Sequence, residues 1–421
     1  MKKIYSILAL FMAMLLMLTG CSMVQINADR DGQTVVAVVN GKNILKKDYE
    51  QNFQRTLIQS GMDISNLSSV ADEYVAYYAA SALETMINQE VMLLKAEEMG
   101  LNTLSEEEKA EIQQEYDEIM ETMRAMAETM IINDLLAENA DMTEEEQKEA
   151  IEKLSEEDRL KAVEKGVDST LSSMYYTRES FLENLQMYAI LDKVEDEVTK
   201  GIEPAQEDID AAYNERAAAA KESYTSSPLA YETAYMDDNS VIYYIPAGTH
   251  IVQHILIGLP EEQTEELVTY RTEGKNDAAD SIREKYLAEI KAEAQEALDK
   301  IKANPESYLE VMAEYSDDTG SSDGSTFAVA SASTGYYVEE FAKAALSLTE
   351  VGQITDLVAS DYGYHIIRCE EIPTSGPVPQ TEVYDAIYDE LRAELVTEKM
   401  NELLVTWKAE YAVQTFTDRL V

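Results

Sequence analysis

Two short segments fix how much of this chain must be buried sheet. His250-Ile-Val-Gln-His254-Ile-Leu-Ile257 and Tyr362-Gly-Tyr-His365-Ile-Ile-Arg-Cys369 are apolar runs of strand length, and together they hold all three histidines of the 421-residue sequence. Each reads as a buried strand. A histidine seldom sits in an apolar strand without a hydrogen-bonding partner, so two such strands invite the reading that their histidines meet.

Most of the remaining chain carries helical periodicity. Thr34 to Asn40 reads as a strand ending in the turn Asn40-Gly41, and Ile44 to Gln59 as a helix with Ile44, Tyr49, Phe53 and Leu57 on one side. Tyr74 to Met99 places Leu83, Met86, Ile87, Val91 and Leu94 at helical spacings before the stop signal Gly100. Ser105-Glu-Glu-Glu108 fits a capping box for a helix through Met130. Met142 to Gly166 reads as an acidic helical pair, and Thr177-Arg-Glu-Ser180 opens a helix buried along Phe181, Leu185, Tyr188, Leu191 and Val194. Arg216 to Tyr244, rich in Ala, Ser, Tyr and Asp and holding Pro228, reads as a linker or long hairpin. After the strand at Ile251 to Ile257, Leu287, Ile290, Leu298 and Ile301 mark a charged helix, and Tyr308 to Tyr315 a shorter one. Val383, Ile387, Leu391 and Leu395, then Met400, Leu403, Leu404, Trp407 and Tyr411, predict one long helix or two in series over Val378 to Thr415.

The start of the chain has a different character. Lys2 and Lys3 precede an apolar run from Ile4 to Leu18, short of the ~20 residues that cross a bilayer as a helix, so it reads as a secretory signal. The run ends in Leu18-Thr19-Gly20-Cys21, which resembles the bacterial lipobox. Cleavage before Cys21 and lipidation of its sulfur follow from that resemblance; the plainer reading is an ordinary signal with an incidental cysteine. Once Cys21 carries lipid, Cys369 stands alone, and packing rather than a disulfide must hold the fold. The leader holds two lysines and no acid, so the formal charge of −49 becomes −51 without it. Such a polyanion repels nucleic acid. The charge reads mainly as solvated helix faces, and less simply as attraction for basic unfolded clients or divalent cations.

The two histidine strands resemble the first and last strands of a parvulin-type peptidyl-prolyl isomerase domain, with its His-Ile-Leu near the start and Gly-x-His-Ile-Ile near the end. Val-Asn-Gly-x-x-Ile … Tyr at Val39 to Tyr49, Ile87-Asn-Gln-Glu-Val-Met-Leu-Leu94 and Ala96-Glu-Glu-Met-Gly-Leu101 resemble the N-terminal chaperone region of PrsA/SurA-type foldases. These resemblances imply an α+β chain. A signal peptide would occupy 1–20 and a mainly helical chaperone region 21–245. A parvulin-like domain, a small antiparallel sheet flanked by helices, would be inserted at 246–373, and a C-terminal helix at 374–421 would pack back on the chaperone region. Between Gly258 and Ser281 the chain exceeds the usual parvulin loop, which predicts an exposed insertion.

The implied function is a lipid-anchored, extracytoplasmic foldase that isomerises X-Pro bonds in newly exported or unfolded polypeptides. A homodimer is left open. Peptide-bond rotation faces a barrier of ~18–20 kcal/mol, and a thousandfold acceleration needs only ~4 kcal/mol of preference for the twisted amide. That chemistry calls for no cofactor and no metal. By position, His254 and His365 match the paired core histidines, which suits an architectural network rather than proton transfer. Asp318 matches the residue facing the target bond, though it equally suits a turn or N-cap. Tyr337 and Phe341 match the wall of the proline pocket. One segment departs: Asp323-Gly-Ser-Thr-Phe-Ala-Val-Ala330 stands where most parvulins carry Gly-Gly-Asp-Leu-Gly-x-Phe. That departure favours a rival reading, a holdase with a degenerate isomerase domain. A solute-binding lipoprotein would need more strand-helix alternation than the chain offers. A metal site built from the three histidines fails on spacing, because His250 and His254 at i and i+4 would stand about 13 Å apart along a strand, too far to chelate one ion.

Overall fold

The structure, a computed structural model, describes residues 32–62, 72–138, 156–318 and 324–420. The leader, Cys21 and the stretch 142–155 of the expected acidic helical pair lie outside them. The chain divides into two compact units: one formed from its two ends, up to Ile202 and from Val396, and one from Glu203 to Leu395.

In the first unit, β1 (Val35–Val39) turns into β2 (Lys42–Leu45). Asn40 and Gly41 both take positive φ, 47° and 82°, which a two-residue hairpin turn of this hand requires and which Asn-Gly supplies at little cost. Ile44, expected to open the helix, is a core residue of β2, so α1 starts later, at Lys46–Gln59. There follow α2 (Asp72–Met99), α3 (Glu106–Glu138), α4 (Glu156–Ser173) and α5 (Arg178–Val198). The capping box before α3 is formed: the Ser105 N–H donates to Glu108 Oε2 at 2.6 Å and the Glu108 N–H to Ser105 Oγ at 3.2 Å. Thr177 and Ser180 cap α5 reciprocally. One core joins Val36, Tyr49, Leu83, Ile87, Val91 and Val194 to Met400, Leu404, Trp407 and Tyr411 from the far end of the chain. A second packs Ile119, Met120, Val167, Leu171, Phe181 and Leu185.

The second unit opens with α6 (Gln206–Ser226) and α7 (Pro228–Tyr235). This corrects the linker reading of Arg216 to Tyr244. Pro228 begins α7, where a missing N–H breaks no helical bond, and Tyr224 and Tyr231 are buried rather than exposed linker residues. After β3 (Tyr244–Ile245) comes β4 (His250–Gly258), then α8 (Glu261–Thr272), α9 (Asn276–Ala303) and α10 (Tyr308–Tyr315). The expected exposed insertion is a helical hairpin with its own core, because Leu267 and Ala279 are fully buried with Leu259 and Leu287. The rest is β5 (Phe327–Val329), α11 (Glu339–Leu346), β6 (Val358–Ala359), β7 (Gly363–Glu371) and β8 (Gly376–Pro377). A single helix, α12 (Gln380–Glu410), lends its first half to this unit, where Val383 and Ile387 pack with Ile209 and Val378. The sheet that closes the first unit includes β9 (Gln414–Thr415), paired to β1.

The sheet of the second unit is antiparallel in the order β5-β4-β7-β6. The long β4 and β7 lie at its centre and are covered on both sides. Ile255, Ile257 and Ile366 face α9 and α10, with Ala294 and Ala297 of α9 admitting a close approach. Val252, Ile367 and Cys369 face α11. Alternation then places His254 and His365 on the α11 side. The fold is α+β, mainly helical toward the N-terminus, with a small antiparallel sheet flanked by helices.

Candidate active site

Register brings the histidines together. His254 pairs with Ile367 and His365 with Leu256, so the two imidazoles are diagonal neighbours on one face. Their Nδ1 atoms lie 3.5 Å apart and the rings stack at 5.6 Å. His365 Nε2 is 2.8 Å from Ser360 Oγ, in the turn between β6 and β7. His254 Nε2 is 2.8 Å from Asp318 Oδ2. With one proton on each ring, a single order of donors satisfies every contact: Ser360 O–H to His365 Nε2, His365 Nδ1–H to His254 Nδ1, His254 Nε2–H to Asp318. Burial, then the neighbouring His254, push His365 down to about 3, against the opposing pull of Asp318, so its ring stays neutral at any ordinary pH.

Asp318 is held in place by the residues before it. Where β4 runs past β5, its free backbone is met by the chain leaving α10: the Leu256 N–H donates to Ser316 Oγ, the Asp317 N–H to Leu256 O, and the Gly258 N–H to Asp317 Oδ2. The backbone-capping task that Asp318 could have filled thus belongs to Asp317. Asp318 is left partly exposed, at 30 %, against His254. Residues 319–323, which follow it, lie outside the described residues.

Aromatic rings surround the pair. Phe341 of α11 meets His254 at 5.2 Å and His365 at 5.4 Å, both edge-on. Tyr337 lies 5.3 Å from Phe341, and Phe327 of β5 meets His254 edge-on at 5.1 Å and Tyr337 at 6.2 Å. The structure therefore brings together His254, Asp318, His365, Tyr337 and Phe341, and adds Phe327 and Ser360. Phe327 went unrecognised because its segment departs from the usual pattern, although a lone phenylalanine there was the available signal. Ser360 had none. His250 stands apart, its ring nitrogens 3.0 and 2.8 Å from the carbonyls of Gly248 and Leu348.

Residues 254–371 match the family model of the PPIC-type PPIASE domain, and residues 1–123 that of the SurA-like N-terminal domain. This part of the chain is a parvulin domain. It carries both histidines at the ends of that match, on the two central strands. Over the whole length, the chain is 25% identical across 431 residues to "Foldase protein PrsA" of Clostridium botulinum (strain Langeland, type F), covering 100% of this chain and 99% of the relative. It is 22% identical across 409 residues to the protein of the same name in Clostridium kluyveri, with 95% and 92% covered. Among solved structures it is similar to PrsA from Bacillus subtilis, at 16% identity with 90% of this chain and 93% of that chain covered and a TM-score of 0.25. Around the parvulin domain, no helix of the described residues is long and apolar enough to cross a membrane.

Proposed function

We propose that the protein is an extracytoplasmic foldase, lipid-anchored through Cys21, whose parvulin domain isomerises X-Pro bonds in exported polypeptides. The observation that carries this reading is the aromatic enclosure of Phe327, Tyr337 and Phe341 beside a carboxylate fixed by the paired histidines. Dry aromatic walls suit a proline ring. As the peptide bond twists it loses resonance, and the carbonyl oxygen loses the partial negative charge that resonance gave it. An anionic Asp318 near that oxygen disfavours the planar form and so favours the twisted one, which is the preference that catalysis requires. His254 keeps the carboxylate in place, and His365 and Ser360 keep the ring of His254 in one tautomer; none of them needs to exchange a proton. The names of the full-length relatives support the broader role of foldase.

The test is NMR exchange spectroscopy on Ala-Pro peptides with the soluble chain from Ser22, beside His254→Ala and Asp318→Ala. Uncatalysed exchange takes tens to hundreds of seconds, so even weak catalysis registers. We expect acceleration that falls at least tenfold in Asp318→Ala, about 1.4 kcal/mol of lost preference. The altered Asp323–Ala330 segment favours a second reading, a holdase whose isomerase domain is a scaffold. No acceleration by the parent chain for any residue before proline, with suppression of client aggregation intact, selects it.

A further inference from the structure

β5 is an edge of its sheet, and an edge strand presents unpaired backbone groups to whatever lies beside it. Here the neighbour is α7. Tyr231 is buried with Tyr224, Ile251 and Ala328, its ring meeting Tyr224 edge-on at 5.3 Å. The Tyr235 hydroxyl lies 2.9 Å from Thr326 Oγ1. Next to Tyr231 on the same helix, Glu232 is completely buried, and its Oε1 accepts the Ala330 N–H at 2.8 Å and the Ser331 N–H at 3.3 Å. Ala330 and Ser331 are the first residues after β5 and begin the segment that leads from Phe327 to Tyr337. At the other end of β5, Gln253 Nε2 donates to the Gly324 carbonyl while Arg368 Nη2 donates to Gln253 Oε1 at 2.6 Å.

The second Glu232 oxygen, Oε2, and the Tyr337 hydroxyl are both buried without a hydrogen-bond partner among the described residues. Burial, then the charge of Glu232, hold the Tyr337 hydroxyl above its ordinary range. A helix that needed only to cover an apolar edge would be better served by an apolar side chain at this position, because a buried carboxylate carries a desolvation penalty. What the carboxylate supplies is an acceptor for two backbone N–H groups that root one wall of the aromatic enclosure.

We propose that Glu232 is a positioning residue of the isomerase site. By holding the backbone at Ala330 and Ser331, it sets how far Phe327 and Tyr337 stand from His254, and hence the width of the slot offered to a proline ring. The ligand named here rests on the isomerase reading; the geometry does not.

The test compares Glu232→Ala with Glu232→Gln in the full chain. Only six phenylalanines and three histidines are present, so ring signals under selective labelling are tractable. The first readout is the nuclear Overhauser contact between the Phe327 and His254 rings in the free protein. The second is KM and kcat for an Ala-Pro peptide. In Glu232→Ala the contact weakens or vanishes and KM rises about tenfold while kcat changes less than about threefold; Glu232→Gln, which keeps an acceptor, restores both. An unchanged ring contact with KM within about twofold overturns the proposal and leaves Glu232 a support of α7 alone. Where Glu232→Ala does not fold, Glu232→Leu, which fills the same space without offering an acceptor to the Ala330 and Ser331 N–H groups, takes its place, and an unmoved ring contact there overturns the proposal equally. A parent chain without catalysis removes the isomerase reading, and the ring contact still decides the role of Glu232.

Discussion

His365 ties the stability of the second unit to pH with a definite sign. Its folded value is about 3, against 6.5 for the ordinary ring, so between those values the unfolded chain binds a proton that the folded chain refuses. Stability from this residue is whole above pH 6.5 and is lost as pH falls toward 3, at a slope of up to about 1.4 kcal/mol per pH unit. Chemical denaturation of the parent and of His365→Asn from pH 7 to 4 should give a flatter profile for the variant; parallel profiles would show that the ring is not buried neutral. Two residues upstream, Gly363 has φ +144°, and a Cβ there would collide with the Ile257 carbonyl oxygen. Gly363→Ala should therefore destabilise the β4–β7 pair by about 3 kcal/mol or more, read as a drop in denaturation midpoint. The two histidines were legible in the sequence because a polar ring in an apolar strand demands a partner. Phe327 and Glu232 were not: Glu232 draws its meaning from a helix contact with Ala330 and Ser331, nearly a hundred positions away, and Phe327 from the pairing of β5 with β4.

Among the elements, the α8–α9 hairpin does more than fill an insertion. Arg271 on α8 binds Asp361 through Nε and Nη2 at 2.8 and 2.9 Å and reaches Asp280 at 2.7 Å, while Arg283 on α9 approaches both Asp361 and Glu340 of α11. Asp361 adjoins Ser360, the partner of His365. The Arg271 hydrogen bond, against burial, holds the Asp361 carboxyl below its ordinary range. Replacing Arg271 with Gln should cost about 1–2 kcal/mol, since the pair is only partly buried, measured by denaturant unfolding at constant salt. α8 and the first turn of α9 escaped the sequence reading because the stretch was judged by length against a shorter loop and its apolar spacing through Leu267 and Ala279 is sparse, whereas the rest of α9 was marked by Leu287, Ile290, Leu298 and Ile301. α6 and α7 escaped for another reason. Alanine, serine and tyrosine resemble linker composition, and Pro228 resembles a breaker until its place at the first turn is known. The strong i+4 stripe of α12, by contrast, left little room for error about a helix there.

Across the whole molecule, two units with separate cores predict two unfolding events. The sole tryptophan of the sequence, Trp407, is buried in the core of the first unit, so its fluorescence reports that unit alone, whereas tyrosine signals sample both. Thermal curves from the two probes should separate; coincidence would mean that the units melt as one. The charge of −49 adds self-repulsion, so raising the salt from about 10 to 200 mM should raise both midpoints. The pairing of Ala37 with Thr415 and Val38 with Gln414 carries a further consequence. A ribosome, making the chain from its N-terminus, delivers every residue of the second unit before it delivers the strand that closes the first. The first unit is thus begun first and finished last, and a product halted just short of Val396 would leave β1 paired to β2 on one edge but without β9 on the other, and without Trp407 in its core.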